Sequence, residues 1–251
     1  MIDNHKEYIL KTIKMLSALV DYTVLIASII LLLLEAYAVW DDYQIYDIAS
    51  AEKFAQYKPV ADDITSYEKL SKMNPDVIGW IDVYGTKIEY PVLHANDNNK
   101  YLSCTVNGEY STAGSIFLDF RNKSDFSDFN NVIYGHHMAE RKMFGDIDLF
   151  TEKEFFYKHK YAKLYRNNNK SLGIEFFAII RTQGDDSRIF NPGLQDSEQK
   201  KALLRYIYSL AKYSRDIDVN ENDKIVLLST CTHTVANGRY ILVGRLSDKV
   251  H

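Results

Sequence analysis

Two apolar segments of this chain each end in a side chain that can take part in nucleophilic catalysis. Residues 227–231 read Leu-Leu-Ser-Thr-Cys and end in Cys231, and residues 131–137 end in the pair His136 and His137. A thiol attacks a carbonyl as its thiolate, and a nearby histidine is the commonest group that generates or pairs with a thiolate. Such partners are usually distant in sequence and meet only in the folded chain. The segments therefore predict a cysteine–histidine pair.

A third candidate, Arg239, follows Cys231 by eight positions, and the Thr-Val-Ala-Asn-Gly connection between them could turn the chain back. A guanidinium beside a reacting carbonyl stabilises the oxyanion and stays charged at any relevant pH. The competing interpretation is that a cysteine at the end of an apolar strand is a small core residue. Cys104 is expected to be such a residue or merely exposed. With two cysteines, one disulfide remains possible, and no spacing indicates a metal site.

The elements that must position these groups are mainly strands. Apolar runs bounded by turn residues predict eight strands, at 77–83, 87–93, 114–119, 131–134, 162–166, 173–182, 224–230 and 240–246. One amphipathic helix, at residues 196–213, separates the sixth strand from the seventh. A polar helical pattern over residues 42–71 is interrupted at Pro59, and a second helix is predicted at 65–73. Short strands with few helices are typical of a closed or nearly closed β-barrel.

The N-terminus has the composition of a membrane anchor. Residues 15–40 are almost all apolar, and a bilayer-spanning helix needs roughly 20 such residues. Lysines precede the stretch and aspartates follow it, which leaves the N-terminus in the cytoplasm and puts the bulk of the chain outside. We predict a cytoplasmic tail at 1–14 and a single-pass signal anchor at 15–40. A buried core helix is a weaker alternative, and a signal peptide cleaved after Ala36-Tyr37-Ala38 is a stronger one.

The overall composition excludes some classes of protein. The 251 residues are 46% hydrophobic and 25% charged, the balance of a globular domain with an appendage. A formal net charge of −4 gives no sign of a nucleic-acid partner, which would usually leave a basic patch or stripe.

With these motifs in order, the sequence resembles the sortase family. Residues 227–231 are similar to the family's T/L-x-T-C signature, Tyr134-Gly135-His136 to its catalytic-histidine motif, and Gly238-Arg239 to its arginine motif. The resemblance covers roughly residues 74–246. It selects His136 as the partner of Cys231 and leaves His137 as a solvent or loop residue. The N-terminal helices and the helix at 196–213 resemble class B, whereas the lid motif and C-terminal anchor usual in class C are not found in the sequence.

The resemblance implies an eight-stranded sortase-type barrel at 74–251 as the catalytic domain, preceded by an N-terminal helical segment at 41–73. Sortases cut a C-terminal sorting signal and join the new carboxyl end to an amine on the cell wall or a pilin. Cys231 would attack a threonine carbonyl to give a thioacyl enzyme, His136 would act as acid and then base, and Arg239 would stabilise the oxyanion. The expected partners are surface proteins with a sorting signal, a peptidoglycan precursor or other amine acceptor, and the membrane. No metal or organic cofactor is expected.

Substrate contacts are expected at four further residues. The segment 97–102 resembles the substrate groove of class B enzymes, which gives contact roles to Asn98 and Leu102. The alternative is a simple turn before a helix start. Ser229 and Tyr134 line the groove or serve only packing.

Two other functions remain open from the sequence. A secreted cysteine hydrolase would use the same dyad and let water resolve the thioester. A non-enzymatic surface-binding module would not need the thiol.

Overall fold

The computed structural model describes residues 2–59, 65–166, 171–231 and 237–250. Two compact units divide the chain, Met1–Ile45 and Tyr46–His251. The first unit is part of one long helix, α1 (Ile2–Ile48). Its stretch Lys6–Ile48 is long and apolar enough to cross a membrane by length and composition, with a mean hydropathy of 2.3 in its best window. Large apolar side chains along it are exposed, as expected for a helix without a protein core around it.

The helical boundaries differ from those predicted around residues 42–71. Helix α1 continues past Asp41 and Asp42 without interruption, because no glycine or proline breaks it before Ile48. Two single 3-10 turns follow, at Ala51–Lys53 and Ala55–Tyr57. Helix α2 (Thr65–Met73) has the predicted bounds.

The second unit is built around one nine-stranded sheet. Its strands are β1 (Val77–Val83), β2 (Glu89–His94), β3 (Ile116–Leu118), β4 (Asn130–Tyr134), β5 (Tyr161–Arg166), β6 (Ser171–Gln183), β7 (Ala211–Ser214), β8 (Lys224–Cys231) and β9 (Gly238–Ser247). Eight of them follow one another in the order β5-β1-β2-β3-β4-β8-β9-β6, and β5 also pairs with β6. This last pairing closes the barrel, which confirms the predicted fold. Two pairings are parallel, β2 with β3 and β4 with β8.

All eight predicted strands are present, and β7 is an additional one. The predicted helix at 196–213 ends three residues early, as α4 (Ser197–Leu210), because the chain beyond it pairs with β6. Tyr213 lies opposite Ile179 in that ladder, and its ring packs against that of Phe156, with the ring centroids 6.0 Å apart. A short helix between β4 and β5, α3 (Lys153–Lys158), was not predicted.

Helix α4 covers one side of the barrel. Asp196 caps its first turn by accepting a hydrogen bond from the Gln199 amide at 3.0 Å. Leu203, Leu204 and Ile207 face the sheet and are buried in one core cluster with residues of β4, β6, β8 and β9. Each such side chain contributes about 1.5–3 kcal/mol through apolar burial. A core packed in this way holds the strand ends of β4, β8 and β9 in a fixed relation.

Candidate active site

Three neighbouring strands bring the predicted catalytic residues to one end of the barrel. The parallel ladder of β4 and β8 ends at the pair Tyr134 and Ser229, and the Gly135 amide donates to the Ser229 carbonyl at 3.1 Å. The next residue of that segment is His136. In the antiparallel ladder of β8 and β9, Cys231 is the partner of Arg239. The side chain of Cys231 and the connection 232–236 lie outside the described residues.

A cleft of about 170 Å³ opens at this end of the three strands. Its walls are formed by Asn98, Leu102, Phe117, Tyr134, Gly135, His136, Gly184, Phe190, Ser229, Thr230 and Arg239. Six of these are residues singled out in the sequence: His136, Arg239, Asn98, Leu102, Tyr134 and Ser229. Residues from four separate parts of the sequence therefore share one cavity.

His136 lies beyond the end of β4 and reaches across the cleft. Its Nε2 is 2.8 Å from the carbonyl oxygen of Leu102, and because a carbonyl can only accept, Nε2 is the donor. Leu102 ends a 3-10 turn that begins at Lys100. Asp97 starts that turn by accepting from the amides of Asn99 and Lys100. The segment 97–102 is thus a turn with a helix start, and it also lines the cleft.

His137 lies in the loop after β4, one of the two predicted positions for it, and it does not face solvent. Its side chain is only 10% exposed, and Nε2 lies 2.7 Å from the Asp148 carboxylate. The reason is that β4 ends at Tyr134, after which His137 forms an isolated bridge with Met143. That bridge turns the histidine towards the 3-10 turn Gly145–Thr151, which carries Asp148. The two adjacent histidines therefore have different surroundings.

Arg239 lies close to the backbone of Gly184, where a larger residue would crowd its side chain. Its Nη1 donates to the Gly238 carbonyl at 3.0 Å, and the Gly184 amide donates to the Asn237 carbonyl at 2.8 Å. A Cβ on Gly184 would come within 3.0 Å of the Arg239 Cζ and 2.6 Å of the Asn237 Oδ1. Both contacts are closer than normal van der Waals distances. Gly184 thus leaves room for the guanidinium in the cleft, and its role was not predicted from the sequence.

Two buried hydroxyls line the cleft without a hydrogen-bond partner in the described part of the chain, Ser229 Oγ and Thr230 Oγ1. The residues are 2% and 1% exposed, respectively. A buried polar group without a partner costs roughly 1–3 kcal/mol. A ligand group that bonded to either hydroxyl would recover part of that free energy.

A buried carboxylate, Asp119, lies behind the cleft and was not identified from the sequence. It accepts hydrogen bonds from Asn98, Arg121 and Tyr134. Burial alone would raise the pKa of Asp119, but the hydrogen bonds from Arg121 and Asn98 outweigh it and hold the pKa below its usual range. The sequence signal that could have identified Asp119 is an acidic residue directly after an apolar strand, with an arginine two positions later.

Tyr134 is held as a neutral hydroxyl donor. Burial, followed by the charge of Asp119, raises its pKa far above the ordinary range. Its ring lies between those of Phe117 and Phe190, with centroids 5.4 and 6.0 Å away.

Cys104, the second cysteine, is half-buried and free, in an isolated bridge with Tyr110. Within the described ranges, no group of three or more histidine, cysteine or acidic side chains has the arrangement of a metal site.

Comparison with known proteins identifies the family. No family model matches the chain. Sortase B of Listeria monocytogenes is 34% identical over 184 residues, which cover 72% of this chain and 73% of that protein. At this identity and coverage, the chain belongs to the sortase family, and its relatives place it in class B.

Solved structures agree with this assignment. A mutant form of Clostridium perfringens sortase B superimposes with a TM-score of 0.74 at 33% identity, and the match covers 78% of this chain and 96% of that one. Sortase B from the type II pilus of Streptococcus pneumoniae is 42% identical, with a TM-score of 0.63 and coverage of 72% and 98%.

Proposed function

We propose that this class B sortase is a cysteine transpeptidase that cleaves a C-terminal sorting signal at a threonine carbonyl and joins the protein to an amine of a peptidoglycan precursor. One observation carries the proposal. His136 and Arg239 line one cleft, and Arg239 is the ladder partner of Cys231 on the adjacent strand. A thiol, a proton carrier and a fixed cation are the groups that acyl transfer through a thioester needs.

The reaction proceeds in two acyl-transfer steps. The Cys231 thiolate attacks the threonine carbonyl carbon, and the charge that forms on its oxygen is stabilised by Arg239. As the C–N bond breaks, protonated His136 gives its proton to the leaving amine, which departs and leaves a thioester on Cys231. The acceptor amine then attacks the thioester, and neutral His136 takes its proton. Breaking the C–S bond releases the joined product and restores the thiolate.

Substrate recognition is assigned to the rest of the cleft. Asn98, Leu102, Tyr134 and Ser229 contact the sorting signal, which the cleft lining supports, as does the Ser229 hydroxyl that has no partner among the described residues. Residues 1–14 remain in the cytoplasm and residues 15–40 anchor the chain in the cell membrane. The segment 41–73 and the catalytic domain 74–251 lie outside the cell, where surface proteins and the wall precursor are accessible. The apolar α1 supports this arrangement.

The test uses a peptide library with one fixed internal threonine. Mass spectrometry of the full-length protein should detect a thioacyl adduct on Cys231 that is cut after that threonine. Cys231→Ala should form no adduct, and Cys104→Ala is the matched control that should form it normally. Adding an amine should convert the adduct to an amide product. Release by water alone at the same rate would favour a hydrolase, and a chain that forms no adduct would contradict the proposal.

The pneumococcal relative supports a second acceptor. A sortase B from a pilus is 42% identical to this chain, whereas the Listeria sortase B is 34% identical. A lysine amine on a pilin-type subunit is therefore the second candidate acceptor. A competition experiment distinguishes the two acceptors. A lysine-containing peptide and a peptidoglycan-precursor peptide are added together to the same thioacyl enzyme, and the preferred amine should be joined to most of the transferred peptide.

A further inference from the structure

Asp119 sits where the loops of the cleft meet. It follows β3 directly, its side chain is fully buried, and both carboxylate oxygens are occupied. Oδ1 accepts from the Arg121 amide at 3.0 Å and from the Arg121 Nε at 2.8 Å. Oδ2 accepts from Arg121 Nη2 at 2.8 Å, Tyr134 hydroxyl at 3.0 Å and Asn98 Nδ2 at 3.1 Å. Two of these donors, Asn98 and Tyr134, line the cleft itself.

These bonds fix which way the Asn98 amide points. An amide side chain presents donors at one end and an acceptor at the other, and it can usually rotate to exchange them. Here Asp119 accepts from Nδ2, and the Phe120 amide donates to Oδ1 at 2.9 Å. Rotation would set the Asn98 oxygen against a carboxylate and its nitrogen against an N–H. Asn98 therefore offers the cleft the second N–H of its Nδ2, while its Oδ1 already accepts from the Phe120 amide.

The same carboxylate also reaches Phe190 through Arg121. The Arg121 Nη2 that bonds Asp119 also donates to the Phe190 carbonyl at 2.9 Å. Phe190 lines the cleft and lies against the Tyr134 ring. One buried charge thus connects three lining residues from three different parts of the sequence.

We propose that Asp119 is a positioning residue that sets the hydrogen-bonding polarity of the cleft, with Asn98 held as a donor towards a carbonyl oxygen of the bound peptide. The inference rests on the proposed transpeptidation and adds how its peptide substrate is held. Asp119 does not touch the substrate. It acts through Asn98, and it acts on binding rather than on the chemical steps at Cys231.

Asp119→Asn tests this with little change of shape. The new amide can keep an oxygen towards only one of the two donor groups and loses the negative charge, so its hold on Asn98 weakens. We expect KM for the best library peptide to rise about tenfold, as for a lost hydrogen bond to a charged group, with kcat within about twofold. Alkylation of Cys231 by a small thiol reagent should keep its wild-type rate.

A double-mutant cycle separates positioning from general stability. In an Asn98→Ala background, Asp119→Asn should raise KM by less than about twofold, because the residue through which it acts is gone. A tenfold rise in both backgrounds, or a fall in kcat with unchanged KM, would overturn the role of Asp119.

Asn98→Asp keeps the test valid if Asp119→Asn does not fold. Asn98 is at the surface of the cleft, and the change replaces its donor by an acceptor. We expect a larger KM than for Asn98→Ala, and a KM equal to that of wild type would refute donor polarity. A wild-type protein that forms no thioacyl adduct would contradict the proposed function, and this inference with it. An active wild type with additive losses refutes the role of Asp119 alone.

Discussion

The cleft has two halves that are positioned in different ways. The half with His136 and Arg239 belongs to the adjoining ends of β4, β8 and β9, where backbone ladders set the spacing. The opposite half comes from the segment 97–102 and the chain around Phe190, which are held by side-chain hydrogen bonds to Asp119 and Arg121. The ladder half carries the residues proposed for chemistry together with Tyr134 and Ser229, and the loop half carries only residues proposed for recognition.

This difference has a physical reason. A ladder fixes backbone positions through many cooperating bonds in a packed core, so the reacting groups depend little on any one side chain. A loop held mainly by individual side-chain hydrogen bonds can change its sequence and contacts without disturbing the barrel. Substitutions of the reacting groups in the ladder half should therefore reduce kcat, and those of the recognition residues in either half should raise KM.

The largest effect is expected at the nucleophile. Cys231→Ala should reduce peptide cleavage to background, because no other group can form the thioester. Cys104→Ala should remain within about twofold of wild type, since Cys104 is half-buried and outside the cleft lining. The measurement is the initial rate of peptide cleavage by each of the two variants. Similar losses in the two would contradict the assignment of the nucleophile.

Arg239 should be the next most sensitive position. Loss of one oxyanion donor typically lowers the rate by about a hundred- to a thousandfold. Arg239→Lys should fail nearly as badly as Arg239→Ala, because lysine keeps the charge but lacks the planar fork. The measurement is kcat for the three proteins, with folding checked by circular dichroism. A lysine variant within about threefold of wild type would reject the geometric role.

Gly184 tests whether Arg239 must lie where it does. Gly184→Ala introduces a Cβ 2.6 Å from the Asn237 Oδ1 and 3.0 Å from the Arg239 Cζ, so these side-chain ends must shift slightly. We expect kcat to fall about three- to tenfold, because a small displacement of a catalytic group already lowers the rate. Gly193→Ala in the same connection is the control, because its Cβ would only approach Asn191 Oδ1 at 3.4 Å. Equal kcat in the two variants would show that Arg239 tolerates displacement.

An effect of similar size, on KM rather than kcat, is expected at Ser229, whose hydroxyl lacks a partner among the described residues. Ser229→Ala should raise KM about three- to tenfold if the substrate supplies that partner. The melting temperature should stay the same or increase, because an unpaired polar group is removed from the interior. A lower melting temperature with unchanged KM would assign Ser229 to packing.

The smallest effect is a dependence of stability on pH. The pKa of Asp119 is depressed in the folded chain, so its ionised form stabilises the fold above the ordinary aspartate pKa. That contribution is lost as the pH falls through the folded pKa. Urea unfolding from pH 6 down to pH 3 should therefore show a steeper loss for wild type than for Asp119→Asn. Parallel curves would mean that Asp119 is not differentially ionised.

The ladder half could be predicted from sequence because its signals are local. Each apolar run ending in Cys231 or His136 defines a strand end, and strand pairing brings those ends together. The loop half could not be predicted in the same way. Asp119 was included in a predicted strand, and its bonds to Asn98 and Tyr134 join residues 21 and 15 positions away. Such contacts depend on tertiary packing and leave no periodic pattern.

Two local details have the same cause. The prediction of a solvent or loop position for His137 was right about the loop but did not include the turn that brings Asp148 to it. The predicted helix end at Tyr213 followed an amphipathic pattern that continues through β7, and pairing with β6 replaced the last helical turn. In both cases a partner distant in sequence determined the local structure.

Closure of the barrel by β5 and β6 limits where another polypeptide can pair with this domain. An open sheet offers unpaired amides and carbonyls along its outer strands, and any extended polypeptide can add to them as a further strand. Here the strands of the ring pair on both sides, and β7, at the open end of the strand order, is only four residues long. The described part of the barrel thereby gives extended polypeptides few places to attach by backbone pairing, and the proposed peptide substrate would be held at the cleft instead.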